Sequence, residues 1–195
     1  MPLLTLTPTD ARRLAIARQH LDRQPRPTAA MLDVIRDLGC LQLDPTSAVA
    51  RSHLLVLWSR FGSYDRSQLD RLLWHDRHLF EYWAHAASIV LTEDFPIHYD
   101  MMRRYTADES AWSMRSRDWL NENRAFRDHI LDELARRGPL SSKDFEDKTA
   151  SGWASTGWTS GRNVARMLDF LWVQGTILVK ERRGQTRYWD LAERC

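Results

Sequence analysis

Gln42 and Asp44, one leucine apart in Cys40-Leu41-Gln42-Leu43-Asp44-Pro45, are the residues of this chain best placed to act on a water molecule. The run alternates as a short extended segment does, with Leu41 and Leu43 on one face and Gln42 and Asp44 on the other. At ~3.3 Å rise per residue, side chains two positions apart point the same way ~6.6 Å apart. Pro45 biases Asp44 towards extended backbone, because its ring disfavours the α region for the residue before it. A carboxylate and a carboxamide are thus held side by side, able to position and polarise one water. On pattern alone the plainer reading, the wet face of an edge strand, is the stronger of the two.

Other residues with reactive side chains offer less. His53 and His85 are candidates to support the pair or to meet a phosphate, although a histidine among Trp and Ala, as His85 is, more often packs in a core. Trp83 and Tyr82 beside it are candidates to stack on a base, with one of them expected to be buried. His75, His78 and His85 lack the cysteines or carboxylates of a metal site. No metal or other cofactor is expected. Cys40 and Cys195 lie too far apart in sequence to form a disulfide framework or a ligand cluster, and Cys40 reads as a small buried residue. A reducing, cytoplasmic setting follows as the default.

The elements that must carry these residues can be read in two groups. Thr7-Pro8-Thr9-Asp10 has the form of a helix start, and Leu14, Ala17 and Leu21 follow at helical spacing until Pro25 and Pro27. Thr28 caps a second helix with Met31, Leu32, Ile35 and Leu38 on its apolar face, ended by Gly39. A third stretch spans about His53 to Phe61 before Gly62, and another spans Gln68 to Trp74. The segment from Leu79 to Leu91 reads as strand, turn or bulge, and strand. After a stretch from Tyr99 to Leu120 without firm periodicity, Asn121 caps a helix with Phe126, Ile130, Leu131 and Leu134, and Arg136-Arg137-Gly138-Pro139 ends it. Ser141 or Ser142 caps a short helix containing Phe145, and a third helix runs from about Gly161 to Gln174. A hairpin over 176–191, turning at Arg182-Arg183-Gly184-Gln185, closes the series.

Three helices followed by a hairpin is the winged-helix order. The expected architecture is mainly α with small β-hairpins, an α+β chain of tandem winged-helix modules over 1–98 and 121–195, joined by a linker over 99–120, read as a linker helix. With 43% hydrophobic residues and nine tryptophans, 195 residues can bury a core. No apolar run approaches the ~20 residues of a membrane span, and no signal peptide is recognisable.

Net charge is only +2, so charge alone permits a nucleic-acid partner without arguing for one. The cations are nearly all arginine, since Lys143, Lys148 and Lys180 are the only lysines. A GC-rich coding sequence accounts for that bias as well as phosphate recognition does. Arg162 and Arg166 near the start of the third helix, with Arg182 and Arg183 at the hairpin tip, stand where a winged helix meets phosphates on both sides of a groove. Each taken alone is an ordinary surface cation. Their joint placement favours double-stranded DNA as the partner.

The chain as a whole resembles the YcaQ-like winged-helix DNA glycosylases, which repair alkylated and interstrand-crosslinked DNA. The matching stretches are Leu41-Gln42-Leu43-Asp44, Arg51-Ser52-His53 leading to Leu57-Trp58-Ser59-Arg60-Phe61-Gly62-Ser63-Tyr64, and Phe80-Glu81-Tyr82-Trp83-Ala84-His85-Ala86-Ala87-Ser88. Gly138-Pro139-Leu140-Ser141-Ser142-Lys143-Asp144-Phe145-Glu146 and the segment from Arg187 to Arg194 also look like family segments. The resemblance implies that Gln42 and Asp44 are the catalytic pair and that the substrates are N7-alkylated purines in duplex DNA, including crosslinked ones. It places Arg51 among the DNA-contacting residues and the protein in the cytoplasm, at the nucleoid. Family members continue beyond the point that matches Cys195, where a third winged helix would begin.

The implied chemistry suits the residues. An N7-alkylated purine is already cationic and leaves without protonation by a general acid. What remains is to stabilise an oxocarbenium-like sugar and to deliver water to its anomeric carbon, which one ionised carboxylate can do. No lysine neighbours the motif, which favours simple hydrolysis over a Schiff-base route. A crosslinked base cannot enter a snug pocket, so an open groove is expected in place of ordinary base flipping. Two other classes stay open from sequence: a non-catalytic winged-helix regulator reading a fixed operator, and a protein-binding module derived from an enzyme.

Overall fold

The computed structural model describes residues 5–22, 31–44, 46–153 and 162–195. Pro25, Pro27, Thr28, Pro45 and Gly161, each given a role above, lie outside the described residues. The chain divides into two compact units, Met1–Glu93 and Asp94–Cys195.

In the first unit, α1 (Pro8–Arg18) begins as expected, with the Thr7 side chain accepting the Asp10 N–H. Its apolar spacing does not translate into burial. No residue of α1 is buried, and Leu14 and Leu21 are half exposed to solvent. The helix is tied down by polar groups just past its end instead. Arg60 donates to the Gln19 carbonyl (3.1 Å), and buried His20 meets Asp37 through Nε2 at 2.7 Å.

Helix α2 (Met31–Leu38) buries Met31, Val34 and Ile35 and ends at Gly39, whose φ of 79° an L side chain rarely tolerates. The chain therefore turns at once into β1 (Cys40–Gln42). Helix α3 (Ser52–Phe61) buries His53, Leu57 and Phe61, and α4 (Ser67–Asp70) runs into a single π-helical stretch, Arg71–His75. Strands β2 (Leu79–Trp83) and β3 (Ala87–Leu91) form an antiparallel hairpin, and β1 pairs with the far side of β3, giving the order β1-β3-β2. Leu41, Leu79, Ile89 and Leu91 share one sheet face, which packs with Val34, Ile35, Leu57 and Phe61 into the core of this unit. That apolar face anchors β1, and so fixes what its end presents.

The second unit starts with α5 (Phe95–Arg104) and α6 (Ala111–Glu122). The stretch 99–120, expected as a linker helix, is largely helical but broken into two, α5 and α6, and counts within the second unit. The reason is packing: Trp119 is buried edge-on to Trp153, with centroids 5.6 Å apart, and also lies against Phe170. Helix α7 (Arg124–Arg137) follows almost without a break. The junction residue is Asn123 and not the expected Asn121. It is buried, and its amide bonds Ala150, Ser151 and the Trp119 carbonyl. A capping box of Ser141 and Asp144 closes the 3-10 turn Ser142–Asp144, which ends just before buried Phe145.

Helix α8 (Asn163–Val173) leads through Gly175 to β4 (Ile177–Arg183) and β5 (Thr186–Leu191), joined by the two-residue turn Gly184-Gln185. Leu140 and Trp189 exchange both backbone hydrogen bonds, at 3.0 and 2.8 Å, which adds a short third partner beside β5. The fold is α+β, with small antiparallel sheets. No helix among the described residues is long and apolar enough to cross a membrane.

Candidate active site

The alternation read from sequence holds along the motif. Leu41 is buried, Gln42 exposed, and Leu43 half-buried against the apolar core. The ladder to β3 extends one residue past β1, since Leu43 N–H donates to the Ala87 carbonyl at 2.7 Å. Backbone groups alternate in direction along a strand, so the Gln42 carbonyl and the Asp44 N–H face the opposite, outer edge. Ser52, the first residue of α3, satisfies both: its hydroxyl donates to the Gln42 carbonyl (2.8 Å) and accepts the Asp44 N–H (3.1 Å).

Asp44 is half-buried and forms a local turn in which Oδ1 accepts the Thr46 N–H at 2.7 Å. That bond, reinforced by the Thr46 side chain, holds the Asp44 carboxyl below its ordinary range. Hydrogen bonds donated to a carboxylate favour its charged form. The side chain is therefore an anion at neutral pH, two residues along the chain from the exposed Gln42.

His85 sits in the turn between β2 and β3. It is exposed, contrary to the packed-core reading, because the hairpin turns at 84–86 and leaves the ring outside. Pairing of Gln42 with Ser88 in register brings this turn next to the motif, and His85 Nε2 lies 3.1 Å from Gln42 Oε1. His53 goes the other way, inward on the buried face of α3 with Leu57 and Phe61. Of the two aromatics, Tyr82 is buried and Trp83 is 45% exposed, which leaves Trp83 the one able to stack on a ligand.

The structure thus brings His85 onto Gln42, two residues before Asp44 in the same extended segment. Arg51 stands half-buried at the N-cap of α3, its carbonyl accepting from Leu54 and Leu55. In the second unit Arg162 is exposed at the N-cap of α8. Arg166 is half-buried with its guanidinium over the Trp153 and Phe170 rings. On the hairpin, Arg182 donates to the Gln185 carbonyl. Arg183 is exposed, bonds Glu181 at 2.8 Å and lies 4.2 Å over Tyr188. Among the described residues no cluster of His, Cys, Asp and Glu is suited to hold a metal ion.

Sequence reasoning did not assign Ser52 or Thr46 a part in this site. An Asp followed two residues on by Thr is a turn signal that points to Thr46. Nothing local points to Ser52, since its role depends on α3 folding back against the free edge of β1.

A family model described as DNA glycosylase AlkZ-like matches residues 35–195, a span that includes the motif, Ser52 and His85. Among solved structures the chain is similar to the Streptomyces sahachiroi DNA glycosylase AlkZ, at 18% sequence identity and a TM-score of 0.55. The similarity covers 91% of this chain and 47% of that one, so the chain spans about half the length of the protein it matches. With the motif, its supporting turn and most of the chain inside the matched region, this protein belongs to the AlkZ-like DNA glycosylase family.

Proposed function

We propose that the protein hydrolyses the N-glycosidic bond of N7-alkylated purines in duplex DNA, interstrand crosslinks included, as a monofunctional glycosylase. The observation that carries the reading is the end of β1: an Asp44 carboxylate held ionised by Thr46, two residues along the chain from an exposed Gln42 amide tied to His85. In this scheme the cationic base departs with the bonding electrons and the sugar develops oxocarbenium character. The Asp44 anion lowers the energy of that cation and takes a proton from the water that attacks the anomeric carbon. Gln42 aligns the water. Both side chains reach solvent at the strand end, which suits a base too bulky to be enclosed.

The tandem winged-helix reading is part of the proposal. In the second unit, α7, the capped turn at Ser142–Asp144, α8 and the β4–β5 hairpin follow the order of that motif, with Leu140 beside Trp189 as its short third strand. The α8 start and the hairpin tip then meet phosphates through Arg162, Arg166, Arg182 and Arg183.

The test is release of N7-methylguanine from methylated duplex DNA. Asp44→Asn preserves shape and deletes the charge, and is expected to slow release by ~10²–10⁴-fold. Binding to undamaged DNA should stay the same or tighten slightly, because an anion has been removed. Release by Asp44→Asn at the wild-type rate would sink the assignment.

A further inference from the structure

Gln42 and Asp44 lie along an extended segment whose outer edge meets no strand among the described residues, because β1 stands at the edge in the order β1-β3-β2. Left to water, the last residues of an edge strand fray. Ser52 Oγ occupies the position a neighbouring strand would take, as donor to the Gln42 carbonyl and acceptor of the Asp44 N–H. The opposite edge is pinned by the Leu43–Ala87 bond. Leu43 is thus gripped from both sides, and the torsions that set the spacing of the two functional side chains are fixed.

We propose that Ser52 is a positioning residue for the Gln42–Asp44 pair, holding carboxylate and amide in the register that water activation requires. The inference rests on the glycosylase reading. It goes beyond that reading by giving a role to a residue that touches neither water nor sugar. The grip is rigid at its source, because Ser52 is the first residue of α3, whose Leu57 and Phe61 are buried in the apolar core. A displacement of ~1 Å in a reacting group commonly costs ~10²-fold in rate, so a hydroxyl that prevents it bears directly on turnover.

The experiment compares wild type, Ser52→Ala and Ser52→Thr in single-turnover release of N7-methylguanine, with DNA affinity measured separately. Ser52→Ala is expected to lower the rate by ~10–100-fold while affinity changes less than about twofold. Ser52→Thr retains a hydroxyl and should recover most of the rate. A folded Ser52→Ala that releases base at the wild-type rate overturns the proposal, as does a loss confined to affinity. Should Ser52→Ala not fold, amide hydrogen exchange in the wild type decides: the Asp44 N–H should be protected, and exchange as fast as in an open loop overturns the proposal. A wild type that releases no base overturns the glycosylase reading and this inference with it. An active wild type with an indifferent Ser52 overturns this inference alone.

Discussion

His85 Nε2 lies 3.1 Å from Gln42 Oε1, joining residues 43 positions apart in sequence across the β1–β3 pairing. With the proton on Nε2, the ring donates to Oε1 and turns the Gln42 NH2 group away from itself. In the proposed mechanism His85 thereby sets which end of the amide is offered to a water or a sugar oxygen. His85→Ala should slow base release ~2–10-fold, the value of one ordinary hydrogen bond. The log K against log salt slope for DNA binding should not change. A slope flattened by ~0.9 would make His85 a phosphate contact instead.

Thr46 supplies the bonds that lower the Asp44 pKa. Under the proposed mechanism the ionised carboxylate is the working form, so activity should persist above that pKa and fall as pH drops through it. Native stability linked to this group has the same sign: present above the unfolded pKa and lost as pH falls through the folded one. Thr46→Val removes the hydroxyl but keeps the backbone N–H. It should move the acid limb of the rate profile upward, towards the ordinary carboxylate range, and leave the rate at neutral pH unchanged. An acid limb that does not move would mean that another group titrates there.

What could be read from sequence here divides along physical lines. Alternation in Leu41-Gln42-Leu43-Asp44 is local, set by the two-residue period of a strand, and the burial pattern follows it. The approach of His85 to Gln42 required the strand order, because a β2–β3 hairpin alone does not say on which side β1 joins. Leu14 and Leu21 have helical spacing, but spacing cannot state what lies opposite: Leu14 is exposed in α1, and Leu21, past its end, is exposed as well. Within 99–120 a helix is legible, but its division and its packing are not, for a related reason. Polar and apolar residues are mixed along α6, and Trp119 finds its partners Trp153 and Phe170 far along the chain.

Asn123 joins α6 to α7 and is 1% exposed. Its Oδ1 accepts the Ala150 N–H at 2.8 Å, and its Nδ2 donates to the Trp119 carbonyl at 2.9 Å. Asn123→Ala removes the side-chain bonds that hold the partly buried 150–151 segment to the α6–α7 junction, each worth about 0.5–1.5 kcal/mol. Urea unfolding of the variant should show a lower midpoint at unchanged slope. A midpoint equal to wild type would mean that water replaces the amide without loss.

The hairpin tip offers the clearest test of the DNA-binding geometry. Arg182 and Arg183 stand next to the Gly184-Gln185 turn, yet Arg183 is also bonded to Glu181 and stacked on Tyr188. Each cation that neutralises a phosphate contributes ~0.9 to the salt slope, so replacing both arginines with alanine should flatten it by up to ~2. If Arg183 meets a phosphate, as proposed, Glu181 competes for it, and the exposed ion pair is itself worth little. Glu181→Gln should therefore tighten binding at low salt, with a slope equal to or steeper than that of wild type. If the double arginine variant keeps the full slope, the hairpin lies outside the interface. If Glu181→Gln binds no tighter while the double variant still flattens the slope, Arg182 is the residue that meets the phosphate and Arg183 serves to brace the hairpin.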